Sequence, residues 1–412
     1  MGLGGSSKRS LRVALVSTRS REPASGAMVA ELSRALSALG HRPTVFARGE
    51  AAAGAPSARP PGPEDRLAEL RQASAAWSRI ATIDDFDVVH VNDAESLPFT
   101  NFVPVPTLAT VHHDRAPSLS AHYAAYPDVS FVAVSRRQAE LAWEVRFRAV
   151  VHHGLRLDRF PLGKGSRRCV FLGSLAPESG PQRAIEAARR SRTPLVLAAD
   201  AHRPQHEHFQ RTIAPRLGPG ITWGGAVDGA RKTELVAGAR ALLAPAHWEE
   251  PSGLAMIESM LVGTPVIAYA CGAAPEIVED GVTGFLVHDV DEMCQRIRDV
   301  GAIDREACRA RARSRWSSAR MAREYATLYH EAIDRWSAAR SRYAAPPAPF
   351  GPVPLASAVR STSAVRSAIP PRAAPPGAAP PARPPKVSER SSTRESAASP
   401  PASERRRVRP ST

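Results

Sequence analysis

The feature that most constrains the fold is a regular alternation of short apolar runs with amphipathic segments between residues 11 and 340. The apolar runs have the length of buried strands, and the segments between them carry apolar residues at helical spacing. Strands that alternate with helices are typical of βαβ units, in which helices cover both faces of a parallel sheet. The sequence therefore predicts an α/β fold with doubly wound sheets.

The apolar runs form two series, so we predict two domains of ordinary size. The first series comprises residues 11–17, 44–47, 88–91, 107–111, 130–134 and 149–152. The second series comprises residues 169–172, 195–199, 221–223, 241–244, 266–270 and 285–287. We expect a Rossmann-like first domain at residues 11–157, a hinge at 158–168, and a Rossmann-like second domain at 166–315. Residues 316–340 are expected to form a long amphipathic helix that closes the folded part and returns to the first domain.

Residues 341–412 differ from the rest of the chain in composition. They contain 16 of the 38 prolines and carry 12 basic side chains against three acidic ones, which is most of the formal net charge of +15. Such a segment cannot bury enough apolar surface to fold, so we expect a disordered tail. Its cluster of Arg405, Arg406 and Arg407 suits weak contact with an anionic membrane surface, the alternative being a solvated extension. No aromatic residue follows Phe350, so a nucleic-acid partner is not expected.

Signals for export or membrane insertion are missing from the sequence. No apolar stretch reaches the roughly 18 residues of a spanning helix, and the first ten residues lack the apolar core of a signal peptide. The four cysteines, Cys169, Cys271, Cys294 and Cys308, show no metal-binding or disulfide spacing. We therefore expect a cytoplasmic protein with reduced thiols, whose membrane contact would be peripheral, at the inner face.

The most informative stretch is residues 245–287, which contains a turn followed by an apolar helix at 253–262. Leu254, Glu258 and Leu261 fall on one face of this helix, so the Glu258 carboxylate lies on an apolar stripe. A carboxylate there needs a hydrogen-bonding partner, because a buried and unpaired charge would cost several kcal/mol. Sugar hydroxyls are suitable donors, and a neighbouring backbone group is the alternative.

A second carboxylate, that of Glu250, precedes the same helix in the loop. The backbone N–H groups of Ser252, Gly253 and Leu254 are expected at the helix start. Such N–H groups and the helix dipole favour a phosphate at this position.

Glu250 and Glu258 form an E-x7-E pair within WEEPSGLAMIESMLVGTPVIA, which is followed by Gly272, Glu276 and the segment 280–284. This arrangement resembles the retaining glycosyltransferases of family 4, which have the GT-B fold with two Rossmann-like domains facing across a cleft. Further similar segments occur in the expected order: FDVVHVND, VPTLATVHHD, VAVSRRQAE, VVHHGLRLDRFP, FLGSLAPESGPQRAIEAA and GARALLAP.

The resemblance implies a hexosyltransferase-like enzyme that moves a sugar from a nucleotide-sugar donor to an unidentified acceptor. In that arrangement Glu258 would hold the ribose hydroxyls, and Glu250 would face the transferred sugar and the reacting centre. The backbone of residues 252–254 would receive the diphosphate. His112 would contact the sugar from the other side of the cleft. The resemblance requires no metal ion and no other cofactor.

The loop after the first strand of the second domain departs from the family pattern. The family has glycine-arginine at its start and lysine-glycine at its end, and both cations neutralise the diphosphate leaving group. This chain has Gly173-Ser174 and Ser179-Gly180 instead. The loss of two charge-assisted contacts predicts weaker stabilisation of the leaving group.

Several alternatives follow from this departure. Arg167, Arg168 or Arg183 could supply the charge from nearby, the donor could differ from the usual one, or backbone donors could sustain weak catalysis. A different class of function is a catalytically impaired protein that only binds a nucleotide sugar. A GT-B nucleotide-sugar epimerase is a further alternative, although no separate carboxylate pair supports it.

On the acceptor side, three residues are candidates at the carboxyl ends of the first-domain strands. Gly26 follows the first strand and is expected at a helix start, where amide groups could meet an acceptor. Asp93 and Glu95 follow the third strand, and we expect them either to bind the acceptor or to be solvated loop acids.

The remaining histidines are not expected to bind a metal. His202, His206 and His208 share one polar segment, but nothing in the sequence supplies the supporting residues of a metal site. His152 and His153 lie at the end of the first domain, where we expect them to pack between the domains.

Overall fold

The protein is analysed as a computed structural model, which describes residues 9–17, 23–47, 63–83, 85–113, 115–199 and 205–343. The tail predicted at 341–412 lies outside the described residues from residue 344 onward, as does His202.

The described first half of the chain forms a sheet of six parallel strands in the order β2-β1-β3-β4-β5-β6. The strands are β1 (Arg12–Ser17), β2 (Arg42–Ala47), β3 (Val88–Val91), β4 (Thr107–Val111), β5 (Ser130–Ala133) and β6 (Phe147–Val150). Each corresponds to a predicted apolar run. β2 and β6 each begin two residues earlier than predicted.

The second half forms another parallel sheet of six strands in the order β12-β11-β10-β7-β8-β9. Its strands are β7 (Cys169–Gly173), β8 (Leu195–Ala199), β9 (Ile221–Gly225), β10 (Leu242–Ala244), β11 (Val266–Tyr269) and β12 (Gly284–Val287). The predicted fold class, with two doubly wound sheets, is confirmed.

Helices connect the strands and cover both faces of the sheets. The α-helices are α1 (Pro23–Ala38), α2 (Pro63–Ile83), α3 (Pro117–Ala124), α4 (Arg136–Leu141), α5 (Pro181–Arg190), α6 (Gln205–His208), α7 (Gly229–Ala237), α8 (Leu254–Leu261), α9 (Ala274–Ile277), α10 (Val290–Asp299), α11 (Arg305–Arg315) and α12 (Ser318–Tyr343). No described helix is both long and apolar enough to cross a membrane.

The first sheet is buried on both faces, which explains its near-continuous apolar strands. On one face Leu15 packs in a core with Leu32 of α1 and Tyr329 of α12. On the other face Phe131 packs in a core that includes Trp77 of α2. The second sheet has its own core.

Helix α12 returns to the first sheet and is longer than predicted. It reaches Tyr343, three residues into the segment that we expected to be disordered. Its apolar stripe carries Tyr325 and Tyr329, whose hydroxyls contact Thr110 Oγ1 at 2.8 Å and His90 Nδ1 at 2.8 Å. These buried polar contacts fix the helix on the sheet because each polar atom finds a partner.

The chain crosses between the sheets where two segments pair. Leu155 N–H donates to Trp316 O at 2.9 Å, and Ser318 N–H donates to Leu155 O at 2.9 Å. The segment predicted as a hinge is instead held by the second domain, because Gly163 N–H donates to Val262 O at 2.9 Å.

Candidate functional site

The second sheet has a topological switch point between its central strands β7 and β10. From these neighbours the chain moves outward in opposite directions, through β8 and β9 on one side and β11 and β12 on the other. In such sheets ligands bind in the crevice at the carboxyl ends of the two strands. The loops 174–180 and 245–253 follow β7 and β10, and they contact each other where His247 N–H donates to Glu178 O at 3.0 Å.

Loop 174–180 closes tightly without cationic side chains. Ser174 Oγ accepts a hydrogen bond from Ala176 N–H at 3.1 Å, and a single 3₁₀ turn spans Pro177–Ser179. Gly180 has a φ of 79°, and a Cβ there would lie 2.2 Å from Pro245 O. Only glycine allows this close approach of the two loops.

Glu250 lies at the end of the second loop in a desolvated environment. Burial raises the pKa of its carboxyl above the ordinary value, although a hydrogen bond from Gly253 N–H acts in the opposite direction. Gly272, with a φ of 59°, packs against its backbone, and a Cβ there would lie 2.5 Å from Glu250 N. The backbone that carries this carboxyl is therefore closely packed.

The start of α8 presents backbone donors. Gly253 is the N-cap, with a φ of 57°, and its N–H is used by the Glu250 carboxylate. The N–H groups of Ser252 and Leu254 donate to no acceptor among the described residues. These two donors and the helix dipole can receive an anion.

Glu258 lies on α8 and is paired with a lysine. Its Oε1 accepts a hydrogen bond from Lys232 Nζ at 2.7 Å, and the two side chains are 14% and 32% exposed, respectively. Lys232 is a partner that the sequence did not reveal, and the predicted contact of Glu258 with a sugar hydroxyl stays a prediction. The ion pair compensates the carboxylate while leaving its second oxygen available for a ligand.

His112 lies at the carboxyl end of β4 in the first domain. Its Nε2 is 3.0 Å from Asn92 Oδ1, and its ring stacks on that of His153 at 5.4 Å between centroids. Burial and the neighbouring His153 hold the pKa of His112 well below its ordinary value. His112 is therefore neutral at pH 7. Its Nε2–H donates to Asn92, which leaves Nδ1 as an acceptor.

The three predicted acceptor-side residues differ in their exposure to solvent. Gly26 is exposed and lies within the first turn of α1, which begins three residues earlier than expected, at Pro23. Asp93 is buried and accepts a hydrogen bond from Ser96 N–H at 2.9 Å, which caps the 3₁₀ helix Ala94–Phe102. Asp93 is therefore neither solvated nor fully available to a ligand, whereas Glu95 is exposed.

Two family models match consecutive parts of the chain. Residues 25–159 match the model described as Glycosyltransferase Family 4, and residues 166–301 match the model described as Glycosyl transferases group 1. Each of the two predicted domains therefore matches a glycosyltransferase model. The first match contains His112 and the second contains both glutamates of the E-x7-E pair.

Curated relatives match shorter segments of these glycosyltransferase domains. An alpha-maltose-1-phosphate synthase of Mycobacterium tuberculosis is 30% identical over 131 residues, which are 30% of this chain and 34% of the relative. A D-inositol 3-phosphate glycosyltransferase of Mycolicibacterium smegmatis is 32% identical over 179 residues, which are 38% of this chain and 40% of the relative. The alignments thus span little more than a third of these relatives.

Solved structures confirm the predicted GT-B fold. A sucrose-phosphate synthase from Thermosynechococcus elongatus has a TM-score of 0.64 at 19% identity, over 79% of this chain and 100% of that chain. The Anabaena protein HepE, solved in complex with UDP and glucose, has a TM-score of 0.61 at 15% identity, over 78% of this chain and 100% of that chain.

The two domains are connected by a cluster of charged contacts beside Glu250, which we call the latch: Arg137, His152, Glu249 and Glu276. The Glu276 carboxylate accepts hydrogen bonds from His152 Nε2 at 2.8 Å and from the backbone N–H groups of Arg136 and Arg137 at 2.9 and 2.8 Å. Partial burial opposes ionisation, but these donors lower the pKa of Glu276 to about 2.

The second carboxylate of the latch, Glu249, immediately precedes Glu250. The Arg137 guanidinium donates to both Glu249 carboxylate oxygens, at 2.9 and 2.6 Å, and lowers the pKa of that carboxyl. Gly272 N–H donates to the same carboxylate at 3.1 Å. The latch therefore fixes the backbone beside Glu250 against the first glycosyltransferase domain.

Sequence reasoning missed Lys232 and Arg137. Neither has a motif of its own, since each acts through a partner that is distant in sequence. Knowing that α7 packs next to α8 would have pointed to Lys232 as a partner of Glu258. Recognising Ser135 as the N-cap of α4 would have placed Arg137 in the first turn of that helix.

Other regions of the described structure lie apart from this site. A cavity of about 820 Å³ lies near the amino ends of β4 and β5 and is lined by Thr107, Ser130 and Trp336, so it belongs to the opposite edge of the first sheet. The described residues contain no group of three or more side chains that could hold a metal ion. Of the three histidines at 202–208, His208 contacts the Gln182 side chain at 2.9 Å.

Proposed function

We propose that the protein is a retaining glycosyltransferase, hexosyltransferase-like, that takes a nucleotide sugar between its two domains. The second domain (166–315) would hold the donor and the first (11–157) the acceptor. The observation that carries the proposal is the arrangement at the switch point. There a desolvated Glu250, two available N–H groups and Glu258 are grouped around the start of one helix.

Each part of this arrangement suits one part of the donor. The N–H groups of Ser252 and Leu254 would receive the diphosphate, with Gly173, Ser174, Ser179 and Gly180 lining its other side. Glu258 would hold the ribose hydroxyls through the oxygen that Lys232 does not use. Glu250 and neutral His112 would contact the transferred sugar from opposite domains.

The reaction would proceed by internal return. The bond between the anomeric carbon and the diphosphate oxygen breaks, and the acceptor oxygen bonds to that carbon on the same face. The acceptor proton passes to the departing diphosphate, so no enzymic base and no metal ion take part.

Comparison with relatives supports a nucleotide-sugar donor. HepE shares the fold and was solved with UDP and with UDP-glucose. The curated relatives are named alpha-maltose-1-phosphate synthase and D-inositol 3-phosphate glycosyltransferase. These names indicate different products and no common acceptor. Gly26 and Glu95 are the proposed contacts on the acceptor side, and Asp93 caps the 3₁₀ helix that carries Glu95.

The test is a screen of nucleotide sugars in EDTA-containing buffer, with thermal shift as the binding readout and release of nucleoside diphosphate as the turnover readout. Binding and turnover with one donor, with turnover lowered by Glu250→Gln and binding weakened by Glu258→Gln, would support the proposal. Binding without turnover would favour the catalytically impaired binding protein, which the serines of loop 174–180 keep open. Absence of binding to every donor would overturn both functions.

The proposal places the enzyme in the cytoplasm, with weak contact to anionic lipid through its Arg-rich tail. Full-length protein should associate with vesicles containing phosphatidylserine at low salt, and a chain ending at Tyr343 should not. Equal association of both proteins across a salt series would contradict this part of the proposal.

A further inference from the structure

The proposed reaction leaves negative charge on a diphosphate that must be stabilised. Loop 174–180 supplies no cation, and Ser174 Oγ is already engaged with Ala176 N–H. Arg167, Arg168 and Arg183 are the nearby arginines that could act instead. The topology places Arg183 at a different edge of the second sheet from Arg167 and Arg168.

Arg167 and Arg168 lie at the wrong edge of the second sheet. They immediately precede β7, whose five residues span about 17 Å, so they lie near its amino end rather than at the switch-point crevice. The contacts of Arg168 agree with this placement, since its carbonyl accepts a hydrogen bond from Arg240 N–H at 2.7 Å.

Arg183 lies at the correct edge, in the first turn of α5. Its Nη1 donates to Pro245 O at 3.2 Å, and its Nη2 contacts His247 Nε2 at 3.3 Å. Nη1 also lies 2.9 Å from where a Cβ on Gly180 would be. The guanidinium is therefore held between the two loops that border the crevice, beside the position where the family pattern has lysine.

The charge of Arg183 has no carboxylate partner among the described residues, whereas Lys232 is paired with Glu258. The acids nearest to its neighbour Tyr269 are engaged elsewhere: Glu186 pairs with Arg190, and Asp289 caps α10. Two of the five N–H donors of Arg183 are used in the described structure, which leaves three for an anion.

We propose that Arg183 supplies the positive charge that holds the nucleotide diphosphate, in the role that Ser174 and Ser179 cannot fill. This inference rests on the proposed function. Arg183 reaches the crevice from the helix, not from the loop, so the loss of both loop cations is offset by one guanidinium that the neighbouring loop orients.

The experiment compares full-length wild type with Arg183→Gln. UDP, GDP and ADP are screened by thermal shift, and the best ligand and its monophosphate are then titrated calorimetrically. Arg183→Gln should weaken diphosphate binding by about 10- to 100-fold and monophosphate binding by less than about threefold, because the lost contact is to the additional phosphate. Arg189→Gln, on the same helix with its guanidinium donating to Arg216 O at 2.8 Å, is the matched control and should bind as wild type.

A rescue variant separates loss of charge from damage to the loop. Adding Ser179→Lys to Arg183→Gln should restore diphosphate affinity to within about threefold of wild type, because it returns a cation to the same crevice. Unchanged diphosphate affinity in Arg183→Gln, or an equal loss for monophosphate and diphosphate, would overturn the role of Arg183 while leaving the proposed function standing. If wild type binds none of the nucleotides, the proposed function fails and this inference with it.

Discussion

Two carboxylates at the same edge of the second sheet, Glu276 and Glu250, lie in opposite environments. Glu276 accepts hydrogen bonds from three groups of the first domain, which hold its pKa at about 2. Glu250 receives one N–H from its own loop, and burial raises its pKa. One carboxylate is therefore fully compensated and the other is not.

This difference separates structural acids from candidate reactive ones. A carboxylate surrounded by donors has little capacity left for a ligand and stabilises the contact that it makes. A desolvated carboxyl with one donor is costly to keep unless a ligand uses it, and such groups are found at functional sites. The latch is therefore expected to hold the domains, and Glu250 to act on the substrate.

The largest expected effect is on turnover, from Glu250→Gln. If Glu250 stabilises charge developing on the sugar, its neutral isostere should lower turnover by about 100- to 1000-fold, as for other groups aimed at transition-state charge. The free energy of unfolding should change by less than about 1 kcal/mol, because a desolvated charge is removed together with its single hydrogen bond. Release of nucleoside diphosphate and chemical denaturation measure the two quantities.

Glu234→Gln is the matched control for Glu250→Gln, because it removes an exposed carboxylate from α7. A Glu250→Gln protein that keeps wild-type turnover, or one that loses turnover only through unfolding, would show that the comparison between Glu250 and Glu276 has no functional meaning.

The next largest effect is on stability, from Glu276→Gln. The pKa of Glu276 falls from an ordinary 4.5 to about 2 on folding, which corresponds to about 3 kcal/mol of stabilisation. Because the folded-state pKa is the lower one, this stabilisation is present above pH 4.5 and is lost as the pH falls toward 2. The variant should be less stable at pH 7, and its unfolding free energy should vary less than that of wild type over this range.

Glu279→Gln is the control for Glu276→Gln, since Glu279 lies in the same segment but pairs with arginines of its own domain. Denaturation at several pH values should show the flattened profile for Glu276→Gln alone. Parallel profiles for wild type and Glu276→Gln would mean that the latch does not stabilise the domains through Glu276.

Glu258 is intermediate between Glu276 and Glu250. One of its oxygens is paired with Lys232, and the other remains available for the proposed ribose contact. Glu258→Gln should weaken binding of the nucleoside and of its diphosphate equally, by about 1–3 kcal/mol, since a charged acceptor is lost. This pattern contrasts with that expected for Arg183→Gln, which affects the diphosphate alone. Titration calorimetry measures both ligands, and an unchanged dissociation constant would remove Glu258 from the site.

The strands could be predicted from sequence because parallel strands buried on both faces require continuous apolar runs. The E-x7-E pair could be found because Glu250 and Glu258 lie within one loop and helix, and the apolar stripe of α8 makes Glu258 conspicuous. The side chains that pair with each carboxylate could not be predicted. Its partners lie far along the chain: Lys232 is 26 residues from Glu258, and Arg137 is 112 residues from Glu249.

The same limit applies at the acceptor side. A single acid after a buried strand can bind a ligand or cap the next helix, and the sequence around Asp93 fits both. The structure gives Asp93 the capping role, because Ser96 N–H lies 2.9 Å from its carboxylate. Local patterns therefore locate the edge of the sheet where ligands bind, whereas tertiary contacts decide which side chains there are already occupied.

The smallest expected effect on stability is that of Arg137→Gln in the latch. The Arg137–Glu249 pair is bidentate, but the two side chains remain 42% and 36% exposed, so solvent screens their attraction. Arg137→Gln should therefore lower the unfolding free energy by no more than about 1 kcal/mol. Arg115→Gln, which breaks the ion pair with Glu144 in the same domain, should also change stability little, because solvent screens that pair. The two variants should differ in turnover. Glu249 precedes Glu250 directly, so loosening its contact with the first domain should lower turnover several-fold in Arg137→Gln alone, whereas Arg115→Gln should turn over as wild type.

Turnover assays at saturating donor with parallel denaturation curves measure both quantities. Equal turnover in the two variants would mean that the orientation of Glu250 depends on its own loop and on Gly272, and that the latch serves stability only.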